Sequence, residues 1–313
     1  MSDIRHQPIA DFITIGAGPA ALTSAIYTTR EDIKTVLLEK GAVGGMAAIT
    51  DWVDNYPGFP DGISGMDLAE NLRKQAVRFG ADIQLGEVSA IKKQGKNIVL
   101  EMAYDDPIIT KAVLIATGTE YKKVNAPGEE EYLSRGVHYC ATCDGAFYRD
   151  KKLAVVGGGN SAVQEALFLT KFATHIDLLV RGDKFRASDV LVNELKKNPK
   201  ITIHMNTTTD EIIGDGKVVN SVKCTDKITG KAVEYKVDGV FIFVGLKPNT
   251  GFLKGSVDLD DYGFVKTNDK LETNIKGVFA AGDVRSGATM QIASAVGEGA
   301  TAALRVREYL ESL

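Results

Sequence analysis

An α/β fold of two doubly wound βαβ domains, the second inserted into the first, is predicted by three observations on this sequence. A pattern of apolar strand, glycine turn, alanine-rich helix and second apolar strand occurs twice, at Asp11 to Lys40 and at Lys152 to Arg181. Several strand-like runs follow the second copy. The chain then ends in one more strand-like run, Gly277 to Val284, and a long amphipathic helix, "QIASAVGEGATAALRVREYL". That last strand has no partner near it in sequence, so it is expected to complete the first domain.

The bulk properties narrow the class. Of 313 residues, 44% are hydrophobic and 25% charged, with a net charge of −4, which is ordinary globular composition. No run of 18 apolar residues occurs, so no membrane span is expected. The start, "MSDIRHQPIADFITIG", has an acid before its first apolar run and no small-residue cleavage site, and is not read as a signal peptide. Mild acidity leaves no electrostatic footprint for nucleic acid. Three cysteines in a chain this long do not make a disulfide scaffold, and point to a reducing, cytoplasmic setting.

The first copy opens on "DFITIG", a β-branched run suited to a strand buried on both faces. It turns at Gly16-Ala-Gly18-Pro19-Ala-Ala21, continues as a helix, and closes on "TVLLE". The second opens on "KLAVV", turns at Gly157-Gly-Gly159-Asn160-Ser161-Ala162, and closes on "IDLLVR". Both match the dinucleotide fingerprint, with alanine in the allowed third position. The first glycine permits the tight turn, and the second lets backbone approach a pyrophosphate. The small third residue lets helix and strand pack closely, and the helix N-terminus presents N–H groups and a positive dipole end to phosphate. The fold class is therefore two Rossmann-like dinucleotide-binding domains.

The strand ends distinguish the two. Counting from Gly16, the second strand of the first copy ends on Glu39; the same step from Gly157 reaches Val180, followed by Arg181. A carboxylate there suits an unphosphorylated ribose. Its loss beside an arginine suits a 2′-phosphate, with Arg186 as a second cation. Against this stands the reading of both arginines as ordinary solvated charges.

Chain order sets the domain plan: 1–119 with 246–313 as the first domain and 120–245 as the second. The crossings near 118–122 and 245–248 carry glycine or proline, as does the linker-like "VGLKPN".

Between the two fingerprints lies "GVHYCATCDGAFY", which carries Cys140 and Cys143. A metal clip, a structural staple and a working redox pair are all open to a CxxC of this kind.

The order of "GAGPAA", "DNYPGFP", "ATG" at Ala116–Gly118, "CATCDG", "GGGNSA", "VGLKPN" and "TNIKGVFAAGDV" resembles the low-molecular-weight thioredoxin reductases along nearly the whole chain. The resemblance implies FAD held by the discontinuous domain at Gly16, Gly18, Pro19, Glu39, Lys40, Gly45, Met46, Asn55, Val88, Ala116, Thr117, Gly118, Asp283, Met290, Gln291 and Ile292. It implies NADPH at Gly157, Gly159, Asn160, Ser161, Arg181 and Arg186. It implies a redox-active Cys140–Cys143 disulfide that passes electrons to a thioredoxin or thioredoxin-like protein, and a homodimer.

By the same analogy Cys143 faces the flavin and Cys140 is the interchange thiol, attacking a partner disulfide through a mixed disulfide. Asp144 is the candidate general acid, provided its site raises its pKa. The competing reading makes Asp144 a cap or turn residue, favoured by "CDG". Zinc needs four ligands; beyond the pair there are only Cys224 and His6, His138, His175 and His204, with no paired spacing. Cys224 reads as a lone strand thiol behaving as a small hydrophobe. His138 reads as structural in preference to an acid/base role.

The chain departs from the family pattern at Val180-Arg181-Gly182, where many NADPH-dependent members carry His-Arg-Arg. It departs again at Met290 and Met46, where arginine and glutamine are common. NADPH is favoured over NADH, and NADH stays open. The alternatives on the same frame are a ferredoxin-fed reductase or a dithiol oxidase using oxygen.

Overall fold

The structure is a computed structural model that describes residues 10–50 and 52–313; His6 and the N-terminal stretch read above lie outside the described residues. The chain divides into two compact units. One is made by the chain up to Glu120 and from Lys247 onward, the other by Tyr121–Leu246. No helix among the described residues is long and apolar enough to cross a membrane.

The first unit is built on a mixed sheet in the order Asp82–Leu85, Thr35–Glu39, Ala10–Ile15, Ile108–Ile115, Asn97–Met102, Val88–Gln94. Ala10–Ile15 lies between two parallel neighbours, with Ile13 opposite Val36 on one side and Val113 on the other. Its side chains serve both faces. Phe12 enters the core shared with the helices Pro19–Thr29, Gly65–Arg78 and Ile292–Glu311. Ile13 and Ile15 enter the opposite core with Leu253, Val265 and Val284. Burial on both faces explains why the strand reads as a continuous apolar run without alternation.

The C-terminal strand Val278–Ala280 finds its neighbour inside this sheet. Ile108–Ile115 pairs antiparallel with Asn97–Met102 through Ile108 to Thr110, and parallel with Val278–Ala280 through Val113 to Ile115. One edge of a single strand thus serves two partners. Phe279 is 1% exposed and meets Tyr309 of the last helix edge-on, and its burial contributes roughly 1.5–3 kcal/mol.

The second unit carries a wholly parallel sheet in the order Val137–His138, Gly239–Ile242, Lys152–Val156, His175–Leu179, Ile201–His204. The strand-like runs after the second fingerprint divide in two. Ile201–His204 and Gly239–Ile242 join the parallel sheet, whereas Thr207–Gly214, Val219–Asp226 and Ala232–Lys236 form a separate antiparallel one. Ile212, Val219, Val222 and Cys224 of the antiparallel sheet share a core with Val156, Leu179 and Val240. The two chain crossings, Thr119–Tyr121 and Leu246–Pro248, pair with each other as a short ladder.

Candidate functional site

The first glycine turn is held open by backbone contacts that admit no side chain. Gly16 has φ +101°, and a Cβ there would lie 2.6 Å from the Ala116 carbonyl oxygen. Gly18 caps the helix Pro19–Thr29 with no side-chain cap, and nothing lies within 4 Å of where its Cβ would be. The helix N-terminus therefore faces free space with its leading N–H groups uncapped, and Pro19 has no N–H to satisfy. Glu39, at the end of its strand, accepts from Ala17 N and from Gly41 N, each at 2.8 Å. Gly44 N donates to the Ala17 carbonyl, and a Cβ on Gly45 would be 3.4 Å from Gly18 Cα.

Gly16, Gly18, Glu39, Gly45 and Ala116 are thus gathered around one turn, with half-buried Met46 beside Gly45 on the short helix Gly45–Ala48. Gly86 N donates to the Glu39 carbonyl, which brings buried Val88 to the same strand end. Lys40 is exposed there, its Nζ 3.8 Å from Glu87. Thr117 and Asn249 exchange side-chain-to-carbonyl hydrogen bonds, and Asn249 N donates to the Gly118 carbonyl.

A second group comes from distant positions. Asn55 Nδ2 donates to Gln291 Oε1 at 3.1 Å. Met290 adopts a left-handed φ of +58°, and Gln291 precedes the helix that starts at Ile292 without capping it. Asp283 is half-buried, and its carboxylate has no hydrogen-bond partner among the described residues; burial, with a smaller push from Glu298, raises its pKa to about 6. A half-buried carboxylate with no hydrogen-bond partner among the described residues and an open backbone cradle at Gly18 are what a diphosphate carrying sugar-type hydroxyls would satisfy. These residues fit FAD.

The second turn repeats the device. Gly157 has φ +145°, with a Cβ 2.4 Å from the Phe243 carbonyl oxygen and 2.7 Å from Ala162 Cβ, while Gly159 again faces open space and leaves its helix uncapped. The loop after Val180 folds back onto this turn: Arg186 N donates to the Gly158 carbonyl and Ser188 N to Asn160 Oδ1. Arg181 and Arg186 are exposed, and neither has an ionic partner among the described residues. Ser161 is exposed in the first turn of the helix. The cradle fits a dinucleotide.

Cys140 and Cys143 are bonded, with S–S 2.08 Å and Cα–Cα 5.3 Å. Cys140 starts the short helix Ala141–Asp144, and its Sγ accepts from Cys143 N at 3.1 Å. Asp144 precedes the turn Gly145–Tyr148 but makes no side-chain cap bond. Its Oδ2 lies 3.1 Å from His138 Nδ1, and His138 Nε2 lies 2.7 Å from Tyr148 OH. Burial, then Asp144 and Asp238, push the Tyr148 phenol well above its ordinary pKa. Beside Cys140, Tyr139 donates to buried Glu129, which also accepts from Val124 N and Asn125 N. Cys224 lies fully buried in the antiparallel sheet, its thiol pushed up to about 12 by burial, which makes it inert.

The family described as pyridine nucleotide-disulphide oxidoreductase matches residues 10–299. The chain is 43% identical over 308 residues to a thioredoxin reductase of Listeria innocua, spanning 98% of this chain and 96% of that protein. The chain belongs to this family, among the low-molecular-weight thioredoxin reductases. A thioredoxin reductase of Bacillus subtilis is 41% identical over 310 residues, covering 99% of this chain and 98% of that one. The crystal structure of thioredoxin reductase from Streptococcus pyogenes matches with TM-score 0.93 at 40% identity, over 97% of this chain and 99% of that one. Thioredoxin reductase from Giardia duodenalis matches with TM-score 0.93 at 35% identity, over 97% and 100%.

Sequence reasoning within this family missed two residues of interest. Lys227 sits in a turn that ties back to the Arg181–Gly182 loop. Its N donates to the Asn206 carbonyl, Asn206 N donates to the Gly182 carbonyl, and its Nζ reaches the Arg181 carbonyl at 3.5 Å. Tyr148 had no signal beyond its place in the motif. The link from Asp144 through His138 to Tyr148 depends on how the loop folds over the strand Val137–His138.

Proposed function

We propose that this chain is a thioredoxin-disulfide reductase, which moves electrons from a reduced pyridine nucleotide, NADPH in preference to NADH, to the disulfide of a thioredoxin-like protein by way of Cys140–Cys143. The observation that carries the proposal is the bonded pair at the start of the second unit, in a chain 43% identical to a thioredoxin reductase along its length. FAD, when bound, would accept a hydride from the nucleotide and pass its electron pair to a disulfide.

The chain's own residues do the rest. The uncapped N-termini after Gly18 and Gly159 receive diphosphates. Glu39, already pinned beside Ala17, accepts ribose hydroxyls, and Asp283 accepts from a further hydroxyl. Asn55 and Gln291, bonded to each other, frame the end of the last helix and orient a planar ring. Arg181 and Arg186 meet the 2′-phosphate, and Lys227 offers a cation beside Gly182, where many relatives carry the second arginine.

In the dithiol state Cys140, as thiolate, attacks a partner disulfide; Cys143 resolves the mixed disulfide; Asp144 donates the proton to each departing sulfur. A homodimer is the assembly that accompanies this reading, and sedimentation at micromolar concentration measures it.

Anaerobic titration of the purified yellow protein tests the function. NADPH bleaches the flavin band, and oxidised thioredoxin restores it. A band that responds to neither NADPH nor NADH overturns the donor assignment. A reduced enzyme that thioredoxin does not reoxidise overturns the acceptor.

A further inference from the structure

His138 is 9% exposed and is fixed from three sides. Its ring stacks on Phe241 with centroids 5.1 Å apart. Nδ1 faces Asp144 Oδ2 at 3.1 Å, and Nε2 faces Tyr148 OH at 2.7 Å. The charged and titratable groups around it are few. The short helix contributes Asp144, and the turn after it contributes Tyr148. Asp238, just before the strand that carries Phe241, has its carboxylate taken by Lys152 N at 2.9 Å and lies 3.7 Å from Lys151 Nζ.

A carboxylate only accepts, so Nδ1 carries the hydrogen toward Asp144. The Tyr148 hydroxyl, kept protonated by its surroundings, lies 2.7 Å from Nε2 and holds the other edge of the ring. Asp144 Oδ2 is consequently occupied. Its Oδ1 has no hydrogen-bond partner among the described residues.

We infer that His138, locked by Tyr148, is a positioning residue that occupies one oxygen of Asp144 and leaves the other as the sole carrier of the proton delivered to departing sulfurs at Cys140–Cys143. The inference rests on the thiol–disulfide chemistry proposed above. Cys140 thiolate attacks one sulfur of the acceptor disulfide, forming the mixed disulfide. The acceptor S–S bond breaks, and the departing sulfur leaves with the electron pair and takes the proton from Asp144 Oδ1. Cys143 gives its proton to Asp144 and attacks Cys140 Sγ; the bond from Cys140 Sγ to the acceptor sulfur breaks, and that sulfur leaves with the electron pair and takes the proton from Asp144. The enzyme dithiol is oxidised to the disulfide, and the acceptor disulfide is reduced to two thiols.

Proton delivery matters only when the leaving sulfur is basic. The test therefore uses two small disulfides and needs neither a nucleotide nor a protein partner. Holoenzyme is reduced anaerobically with dithionite and mixed in stopped flow with bis(hydroxyethyl) disulfide, whose alkyl thiolate is basic, or with dithiobis-nitrobenzoate, whose aryl thiolate is not. For His138→Gln the rate with the alkyl disulfide is expected to fall about tenfold, a modest share of a general-acid effect. The aryl rate is expected to fall less than twofold.

His138→Asn places an amide N–H where Nδ1 was and is expected to recover to within about threefold of the parent. Tyr148→Phe, which keeps the ring packing, is expected to lower the alkyl rate and displace its pH profile. Equal losses with both disulfides, or no loss with the alkyl one, would overturn the inference, as would Asn doing no better than Gln. Failure with thioredoxin alone would bear on the function and leave this result standing.

Discussion

Asn55 Nδ2 donates to Gln291 Oε1 at 3.1 Å, across 236 positions of chain. The bond joins the loop between the short strands Trp52–Val53 and Ile63–Ser64 to the residue just before the last helix. It holds in one place two amides that act together only if both are held. Gln291→Ala is expected to weaken FAD retention about fivefold, since a hydrogen bond of this kind contributes about 1 kcal/mol. The ratio of flavin to protein absorbance after gel filtration measures it. Asn55→Ala is expected to match it, and the double variant to fall short of the summed losses, because the two share one bond.

The two glycine turns are separable. Gly16→Ala puts a Cβ 2.6 Å from the Ala116 carbonyl in a left-handed backbone, a strain of about 1–3 kcal/mol. It is expected to lower Tm and abolish flavin binding. Gly157→Ala meets the Phe243 carbonyl in the same way. It is expected to abolish nucleotide binding, read by retention on immobilised adenosine diphosphate, while the protein stays yellow.

Asp283 makes stability depend on pH. Its folded pKa, about 6, exceeds the unfolded value of about 3.9. The folded chain therefore holds this proton more tightly. The stabilisation is full below about 3.9 and is lost as pH rises through 6. In the flavin-free protein Asp283→Asn is expected to be more stable than the parent at pH near 8, by roughly 2 kcal/mol, and equal to it at acid pH. Urea unfolding at both pH values checks this. A gain present equally at both would show that the carboxylate charge is not its source.

Cys140→Ser is expected to remove thioredoxin reduction entirely and leave reduction of a one-electron dye by the flavin within about twofold, because the thiol chemistry lies downstream of it. Cys143→Ser is expected to trap a mixed disulfide through Cys140, visible by mass spectrometry of the intact protein.

Arg181→Ala is expected to raise KM for NADPH at least tenfold more than KM for NADH, as loss of a charge-assisted bond to phosphate predicts. Lys227→Ala is expected to act in the same direction and more weakly, from its exposed place beside Gly182. Equal changes in the two KM values would dismiss either residue as a reader of the 2′-phosphate.

The two glycine turns, the acid at Glu39, the missing acid at Val180 and the paired cysteines were all legible in the sequence. Each expresses a constraint satisfied within a few residues, or within one βαβ unit. Only glycine tolerates φ of +101° at Gly16 against a carbonyl, and the step from turn to strand end is set by one helix and two strands. The chemistry announced itself because few residue types perform it.

What only the tertiary structure decided lies between segments with no periodic relation. That the last strand completes the first domain was expected, but its partner was not: Val278–Ala280 pairs with Val113–Ile115, more than 160 positions earlier. Asp144 stands at the cap position before Gly145–Tyr148, but its side chain turns to His138, and His138 to Tyr148. Lys227 reaches Arg181 through an antiparallel hairpin. Sequence spacing carries backbone geometry because local geometry repeats. Which side chains meet across a core depends on how sheets and loops pack, and that is settled by burial of the chain as a whole.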